Sequence, residues 1–377
     1  MKIFHTSDWH IGKIVNNVSM LDDQKYVLNA LIDIIDDKKP DVIIIAGDIY
    51  DRSVPPVVAV ELLNEVLVEL VLNKGIKVLA ISGNHDSGGR IGFGSDILKS
   101  QGLYMVGSEQ VLFDRIEIIK NEEVCHFYLV PYKDPSFVRM ISENTDIKTH
   151  QDAMEHILEL IKLEMDDMAQ NFLVCHGYVS KISGDFVTSE SEKPLAIGGT
   201  DIISADIFND FDYVALGHLH QKQKIGNKNI YYSGSLCKYS FDEREKVVIE
   251  IDTKIKEVSY INLPIRKDFK KITGTLDELL QNSSQDYILA TLTDEGELLN
   301  PIGKLREVYP NIMQISRAYT KTKTDVEPSQ ITTQKLNTPE VIFEEFYTEF
   351  GHTDYTTEKK EYVNSIIEAV MSREESR

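Results

Sequence analysis

Cysteine is scarce in this chain, with three in 377 residues. Cys125, Cys175 and Cys237 are far apart, odd in number and set in or beside apolar runs. That excludes a disulfide framework and a thiolate metal site. It suits small buried hydrophobes in a reducing cytosol. Long apolar runs are missing too. No stretch approaches the ~20 apolar residues of a membrane span. The longest candidate, residues 57–72, is broken by Glu61, Asn64, Glu65 and Glu69. The opening residues Met1 to Asp8 lack the apolar core of a signal peptide, so no cleaved leader is expected. Basic residues are in deficit. Lys plus Arg number 40 against 61 Asp plus Glu, for a net charge of −21. Nucleic-acid binding usually shows as a basic face, so charge alone argues against DNA. Bound metal ions or a cationic partner would have to supply the missing positive charge.

What is present reads as an ordinary globular protein, 42% hydrophobic and 27% charged. The length suits two or three domains. Residues 1–264 alternate strand and helix. Strands are expected from Lys2, at Val42–Ala46, Val78–Ile81, Phe127–Val130, Phe172–Cys175, Tyr213–Leu216, Ile230–Tyr232 and Val247–Ile251. The all-apolar run Val42–Ala46 is what a strand buried on both faces requires. Helices are expected at Leu21–Asp37, Pro56–Leu72 and Asp152–Met168, from apolar residues at helical spacing. The pattern changes at Pro264–Asp268. Residues 265–320 suggest a small β-α-β-like unit, and the Thr-rich stretch 321–338 a linker. In 339–377, two amphipathic stripes follow: Ile342, Phe343, Phe346, Tyr347 and Phe350, then Tyr362, Val363, Ile366, Ile367, Val370 and Met371.

Five short motifs follow the predicted strands. They are Asp8-Trp9-His10, Gly47-Asp48-Ile49-Tyr50-Asp51, Gly83-Asn84-His85-Asp86, His176-Gly177 and Gly217-His218-Leu219-His220. In open α/β sheets ligands gather outside the carboxyl ends of strands, so five distant loops can meet at one point. Gly47, Gly83 and Gly217 suit the sharp turns and close approaches this demands. Seven side chains are candidate metal ligands: Asp8, His10, Asp48, Asn84, His176, His218 and His220. Carboxylate, imidazole and amide oxygen together suit hard or borderline divalent ions such as Mn²⁺. Seven ligands exceed the four to six or so of one ion and fit two ions sharing a carboxylate. Asp48 is the natural bridge. In an extended segment, Asp8 and His10 share a face and can bind one ion together. His218 and His220 can each take one metal. Asn84 offers its amide oxygen, while His85 is placed to donate a proton to a leaving oxygen. Asp51 stands too far from Asp48 to bridge and is placed to orient a histidine. The expected chemistry is two-metal hydrolysis of a phosphate ester.

The order D-x-H, G-D-x-x-D, G-N-H-D, H, G-H-x-H is the signature of the calcineurin-like metallophosphoesterases, and the chain resembles them. Its whole length resembles the nuclease component of the bacterial SbcCD exonucleases. The opening Ile3-Phe4-His5-Thr6-Ser7-Asp8-Trp9-His10-Ile11-Gly12-Lys13 carries that likeness, as do Gly47 to Ser53 with Pro55-Pro56, and Tyr232-Ser233-Gly234-Ser235. The resemblance implies an α/β fold: a metallophosphoesterase β-sandwich flanked by helices, a small α/β capping domain and C-terminal helices. It implies one ion on Asp8, His10, Asp48 and His220, and another on Asp48, Asn84, His176 and His218. His85 resembles the family's catalytic histidine, and Asp51 a bacterial-type orienting residue. It further implies a Mn²⁺-dependent double-strand exonuclease and hairpin endonuclease acting on DNA ends. The partner would be an SbcC-type ATPase, whose coiled coil the two C-terminal stripes suit as a helix pair in a groove.

Competing readings keep the fold and change the function. One is a metallophosphatase or phosphodiesterase with a non-DNA substrate. Gly47-Asp48-Ile49-Tyr50-Asp51-Arg52 echoes that pattern, although Ser53 and Asp86 depart from it. Another is a non-catalytic scaffold, against which the intact ligand set argues. The C-terminal stripes also suit packing on their own domain. A homodimer is expected through helix 21–37 or helix 56–72. The five histidines outside the motifs, His5, His126, His150, His156 and His352, are read as core or surface residues. Gly88-Gly89-Arg90-Ile91-Gly92-Phe93-Gly94 lacks a phosphate-loop pattern and is expected to be a loop, either at a DNA entrance with Arg90 on a phosphate or simply flexible. Lys222 and Lys224 are weaker DNA-contact candidates.

Overall fold

The computed structural model describes residues 1–107, 111–181, 187–192, 202–318, 343, 347 and 355–374 (for 368–374, the backbone only). The chain divides into two compact units, Met1–Ala318 and Tyr319–Arg377.

In the first unit β1 (Lys2–Thr6) leads to a two-residue hairpin, β2 (Ile14–Val15) and β3 (Val18–Ser19), and then to helix α1 (Leu21–Lys38). Strand β4 (Val42–Ala46), helix α2 (Val57–Leu67), β5 (Lys77–Ile81), the short α3 (Gly88–Ile91) and α4 (Ser95–Lys99), and β6 (Leu103–Val106) follow. Then come β7 (Asp114–Lys120), β8 (Glu123–Val130), α5 (Pro135–Ser142), α6 (His150–Lys162) and β9 (Gln170–His176). Strands β10 (Tyr178–Ser180), β11 (Ile202–Ser204), β12 (Tyr213–Gly217), β13 (Gln223–Lys224), β14 (Ile230–Tyr232), β15 (Val247–Asp252) and β16 (Glu257–Asn262) complete the larger part.

Two six-stranded sheets result, in the orders β16-β15-β1-β4-β5-β6 and β13-β14-β12-β9-β8-β7. The centre of each is parallel: β1, β4, β5 and β6 in one, β8, β9, β12 and β14 in the other. The sheets pack face to face through Ile3, Val42, Ile44, Leu79, Ile81, Phe127, Leu129, Phe172, Val174 and Tyr213. A second apolar layer joins the first sheet to α1 and α2 through Leu28, Leu31, Leu62 and Val66. A third joins the second sheet to α5 and α6 through Val138, Ile157 and Ile161. Every residue of Val42–Ala46 is buried, because that strand has a layer on each face. The architecture is therefore the α/β sandwich flanked by helices that the motif order implies.

Three local expectations are revised. Helix α6 runs His150–Lys162 rather than Asp152–Met168. Thr149 and Asp152 form a reciprocal capping box that sets its start. Its apolar stripe ends at Ile161, after which Leu163 and Met168 are exposed. Residues 88–99 are two short helical turns rather than an open loop, with Gly94 at φ 69° between them and Arg90 exposed. The unit after residue 264 has three strands, not two. These are β17 (Phe269–Gly274), β18 (Tyr287–Leu292) and β19 (Ile312–Arg317), parallel in that order, with α7 (Leu276–Leu279) and α8 (Pro301–Val308) between them. Strand β17 buries only Phe269 fully, and the exposed Lys270 and Lys271 hide its pattern. This unit has its own core around Leu276, Ile288, Leu305 and Tyr309. It is fastened to α1 where Tyr287 Oη donates to buried Asp23 Oδ2 at 2.7 Å, with Arg266 Nη1 at 3.5 Å.

In the second unit, the helix Thr357–Glu374 carries the second stripe, with Tyr362 and Ile366 exposed. The stretch 321–338 and the first stripe lie outside the described residues, apart from Phe343 and Tyr347. Cys125, Cys175 and Cys237 are free and buried, as expected. Among the described residues no helix is long and apolar enough to cross a membrane.

The stacked pair Phe127 and Phe172, 5.0 Å between ring centroids, sits in the layer that joins the sheets. Phe172→Ala is expected to lower unfolding free energy by about 3–5 kcal/mol, measured by chemical denaturation. A loss under about 1 kcal/mol would show that this layer does not hold the sandwich together.

Candidate metal centre

All five motifs lie at the carboxyl ends of the central parallel strands. Asp8 and His10 follow β1, Asp48 follows β4, and Asn84 and His85 follow β5. His176 is the last residue of β9, and His218 and His220 follow β12. Because two sheets face each other, both sets of strand ends point into one buried cluster. Gly217 is obligatory here: a Cβ would come within 1.8 Å of the Ala46 carbonyl oxygen, where β12 meets β4.

The backbone of the first motif is not extended. Asp8, His10 and Asp48 all take left-handed φ values of 51°, 45° and 50°. Such conformations cost non-glycine residues on the order of 1–3 kcal/mol each and persist only where the surroundings enforce them. The enforcement is visible. The amides of Asp8, His10 and Ile11 donate to the carbonyls of Gly47, Asp48 and Ile49 at 2.9–3.0 Å. Gln24 in the first turn of α1 closes the loop from behind. Its Nε2 donates to the His10 carbonyl at 2.7 Å, and its Oε1 accepts from Gly12 N at 2.9 Å. Tyr239 Oη donates to the Trp9 carbonyl at 2.6 Å.

Two groups of side chains result, each with ligand atoms within 4.8 Å of one another and fully buried: Asp8, His10 and His220; and Asp48, His176 and His218. A third group, His10, Asp51 and His85, flanks the first. Lys13 Nζ pairs with Asp51 Oδ1 at 2.7 Å, so an ammonium ion already answers that carboxylate. Asp48 links the two main groups. The His85 backbone N–H donates to its Oδ1 at 2.8 Å. Its Oδ2 lies 3.6 Å from His10 Nε2 and 3.5 Å from His176 Nε2. Asn84 Oδ1 stands 3.0 Å from both His176 Nε2 and His218 Nδ1. The Asp8 carboxylate also receives the His218 N–H, 3.0 Å from each oxygen.

Burial works against charge at Asp8, His10, Asp48, His176 and His218, and the neighbours decide the rest. His10 is held well below the ordinary histidine range by burial, reinforced by Lys13. Burial also depresses His218, with His176 adding to it. His176 is driven up to about 9, because Asp48 outweighs its burial. Asp48 is held low despite burial, chiefly through His176. Burial raises Asp8.

The donor set fits divalent cations. His176 Nδ1 meets the Ala46 carbonyl at 2.9 Å. One N–H therefore points there, and its Nε2 faces the oxygens of Asn84 and Asp48, where a bound cation would take the place of the second ring proton. His10 Nε2 faces His220 Nε2 at 3.1 Å. His218 Nε2 is buried without a hydrogen-bond partner. Electron pairs converging from nitrogen and oxygen, with no thiolate, are what a hard or borderline cation requires.

Asp51 lies with its Oδ1 3.5 Å from His10 Nδ1, while its carbonyl accepts from His85 Nδ1 at 2.9 Å. Other sequence candidates stand outside the cluster. His5 is a core residue between Tyr213 Oη and the Leu216 carbonyl, pushed down to about 3 by burial. His126 pairs with Glu117 at 3.0 Å. Lys222 pairs with Glu245 at 2.9 Å, and Lys224 lies over the Tyr231 ring. His352 lies outside the described residues.

Several residues that build the cluster carry no legible signal. Gln24, Tyr239, Ser191, Glu192, Glu243 and Lys246 lie in segments that read as helix face or polar loop. Only Asp86 had a cue, as the last residue of Gly83-Asn84-His85-Asp86. Its carboxylate accepts from the backbone N–H groups of Ile49, Tyr50 and Gly83 at 2.9–3.0 Å. It thus ties the Asp48 loop to the Asn84 loop.

Two family models match this chain, one over the residues that carry the cluster and one over the domain that follows it. Residues 1–222 match the family model described as calcineurin-like phosphoesterase. Residues 265–350 match that described as type 5 capsule protein repressor C-terminal domain. The D subunit of nuclease SbcCD from Staphylococcus epidermidis is 31% identical over 99% of this chain and 100% of its own length. The chain belongs to the calcineurin-like phosphoesterases, in the family of the SbcCD nuclease D subunits. The protein of that name from Staphylococcus saprophyticus is also 31% identical, over 98% of this chain and 99% of its own. A solved dimetal phosphatase from Danio rerio is similar at 11% identity, with a TM-score of 0.40, over 66% of this chain and 91% of that one.

Asp86→Ala would leave three backbone N–H groups unanswered and unpin Asp48 from Asn84. The expected result is a loss of about 2–4 kcal/mol of stability together with weaker Mn²⁺ binding. Thermal melts and metal titration measure the two effects. Unchanged melting and unchanged metal uptake would show that Asp86 does not organise these loops.

Proposed function

We propose that this chain is the nuclease component of a two-protein DNA-processing complex. It would be a Mn²⁺-dependent phosphodiesterase with 3′-5′ double-strand exonuclease and hairpin or single-strand endonuclease activity. Its setting would be cytoplasmic, in DNA replication, recombination and repair. One observation carries the reading. Two buried oxygen-and-imidazole groups are joined at Asp48, in a chain matched end to end by relatives named as the D component of nuclease SbcCD.

In this proposal Asp8, His10, Asp48 and His220 hold one divalent ion. Asp48, Asn84, His176 and His218 hold the second. Such a pair supplies an activated water and stabilises the attacking and leaving oxygens of an in-line displacement. The protein's own contribution is placement and proton supply. His85 keeps its Nδ1 proton on the Asp51 carbonyl, 2.9 Å away, which fixes the ring and leaves Nε2 for the leaving oxygen. Asp51 balances Lys13 and stands 3.5 Å from His10 Nδ1, beyond hydrogen-bond reach but on the side from which it would orient that ring. The neutral state favoured by burial at His10 and His218 keeps their ring lone pairs available.

The net charge of −21 is met in this reading by the ions and by a cationic partner. That partner is an SbcC-type ATPase, docked through residues 339–377. The apolar Tyr362 and Ile366, exposed on the helix Thr357–Glu374, support this. A second copy of the chain is the further proposed partner. Helix α2 and the π-helical segment Val68–Asn73 that continues it expose Val57, Val60, Val68 and Leu72 along one side.

Purified with its ATPase, the protein is expected to cut a DNA hairpin with Mn²⁺ present. Asp48→Ala or EDTA should abolish cutting; activity surviving either one refutes the two-metal reading. Preference for small phosphomonoesters over DNA would instead identify a phosphatase. His85→Ala should retain both ions yet lose about 10²–10⁴-fold in turnover. A drop in metal content would show that His85 is a ligand. Removal of residues 339–377 should abolish co-purification with the ATPase, and retained binding would sink the docking proposal.

A further inference from the structure

Behind His220 lies a buried polar network that neither the metal reading nor the motifs account for. The short stretch 189–192 reaches the site from 28 to 29 residues upstream and touches His220 at two points. Ser191 Oγ stands 2.6 Å from His220 Nδ1, and Glu192 Oε1 accepts the His220 backbone N–H at 2.6 Å. Ser191 Oγ also lies 2.5 Å from Glu243 Oε1. Glu243 is paired with Lys246. Lys246 Nζ in turn donates to the His220 carbonyl and to Ser235 Oγ, each at 2.8 Å. Both Glu243 and Lys246 are buried, at 5% and 3% exposure.

Hydrogen-bond accounting assigns the protons. A serine hydroxyl has one hydrogen to give. Glu243, an ion-paired carboxylate, can only accept, so the Ser191 proton goes to it. Ser191 Oγ is then an acceptor toward the ring, and His220 Nδ1 must carry the hydrogen. In the neutral ring that metal ligation requires, His220 Nε2 is then the bare lone pair, and Nε2 is the atom facing the cluster, 3.1 Å from His10 Nε2. Glu243 does not reach the ring by itself, since its Oε1 lies 3.6 Å from Nδ1. The serine is the necessary link.

We infer that Ser191, backed by Glu243 and Lys246, is a positioning residue that sets the tautomer and ring orientation of His220 and so tunes one of the two metal sites. Glu192 holds the same residue by its backbone. The stretch 189–192 is thereby a clamp on a single ligand, and whatever displaces it loosens one ion and spares the other. This inference rests on the proposal that His220 is a ligand.

The test is Mn²⁺ titration of the full-length protein, read by calorimetry and by the spin-coupled electron paramagnetic resonance signal of a manganese pair. Ser191→Ala is expected to weaken one ion about 10–100-fold, leave the other unchanged and remove the coupled signal at limiting Mn²⁺. Ser191→Thr, which restores the hydroxyl, should recover affinity to within about threefold of the parent. Circular dichroism melts identify variants that fail to fold; Ser191→Ala removes a single oxygen and is the variant on which the inference stands. Parental affinity for both ions in Ser191→Ala overturns it. So does equal weakening of both ions without rescue by threonine. A parent protein that binds fewer than two Mn²⁺ overturns the metal reading itself, a result distinguishable from either of these.

Discussion

The carboxylate of Asp48 is the constraint on which the site depends. It is buried, sits on a left-handed backbone and is shared between two groups of side chains, each of which draws on both sheets. An isolated buried carboxylate is costly, and its cost falls only if donors or cations surround it. Here the His85 amide answers Oδ1, while the His10 and His176 rings flank Oδ2. The two sheets must therefore meet with β4 against β9 and β12 for this group to be tolerable at all. Gly217, with no room for a Cβ against Ala46, is the measure of how closely they meet.

Strain and support are distributed accordingly. Four candidate ligands, Asp8, His10, Asp48 and His218, have positive φ, and the loops that hold the first three are laced by Gln24, Tyr239 and Asp86. These supporting groups come from a helix, a late loop and the third motif. Helix α1 joins two functions in adjacent residues. Gln24 secures the His10 loop, while Asp23 anchors Tyr287 of the small C-terminal sheet. The small three-stranded sheet and the His10 loop thus share one helical turn.

Much of the architecture was legible because its signals are local. All-apolar runs marked the central strands, and helical stripes marked α1 and α2. The motif order identified the family. What failed has physical causes. Strand β17 escaped notice because only Phe269 is buried while its lysines face water. Helix α6 starts earlier than expected because of the capping box at Thr149, and it ends sooner because its buried stripe runs out at Ile161. The extended backbone expected at Asp8 and His10 was wrong because tertiary hydrogen bonds to the Gly47–Ile49 loop override local preference.

By itself, the sequence determined which donors are available, their order, and that they follow strands. Those are properties of residue type and of near neighbours in the chain. Only the tertiary structure decided how the donors are grouped, which backbone conformations they occupy, and that Ser191, Glu243 and Lys246 stand behind His220. Such pairings join residues tens to hundreds of positions apart. They exist only once two sheets have closed on each other, and no periodicity in the chain records them.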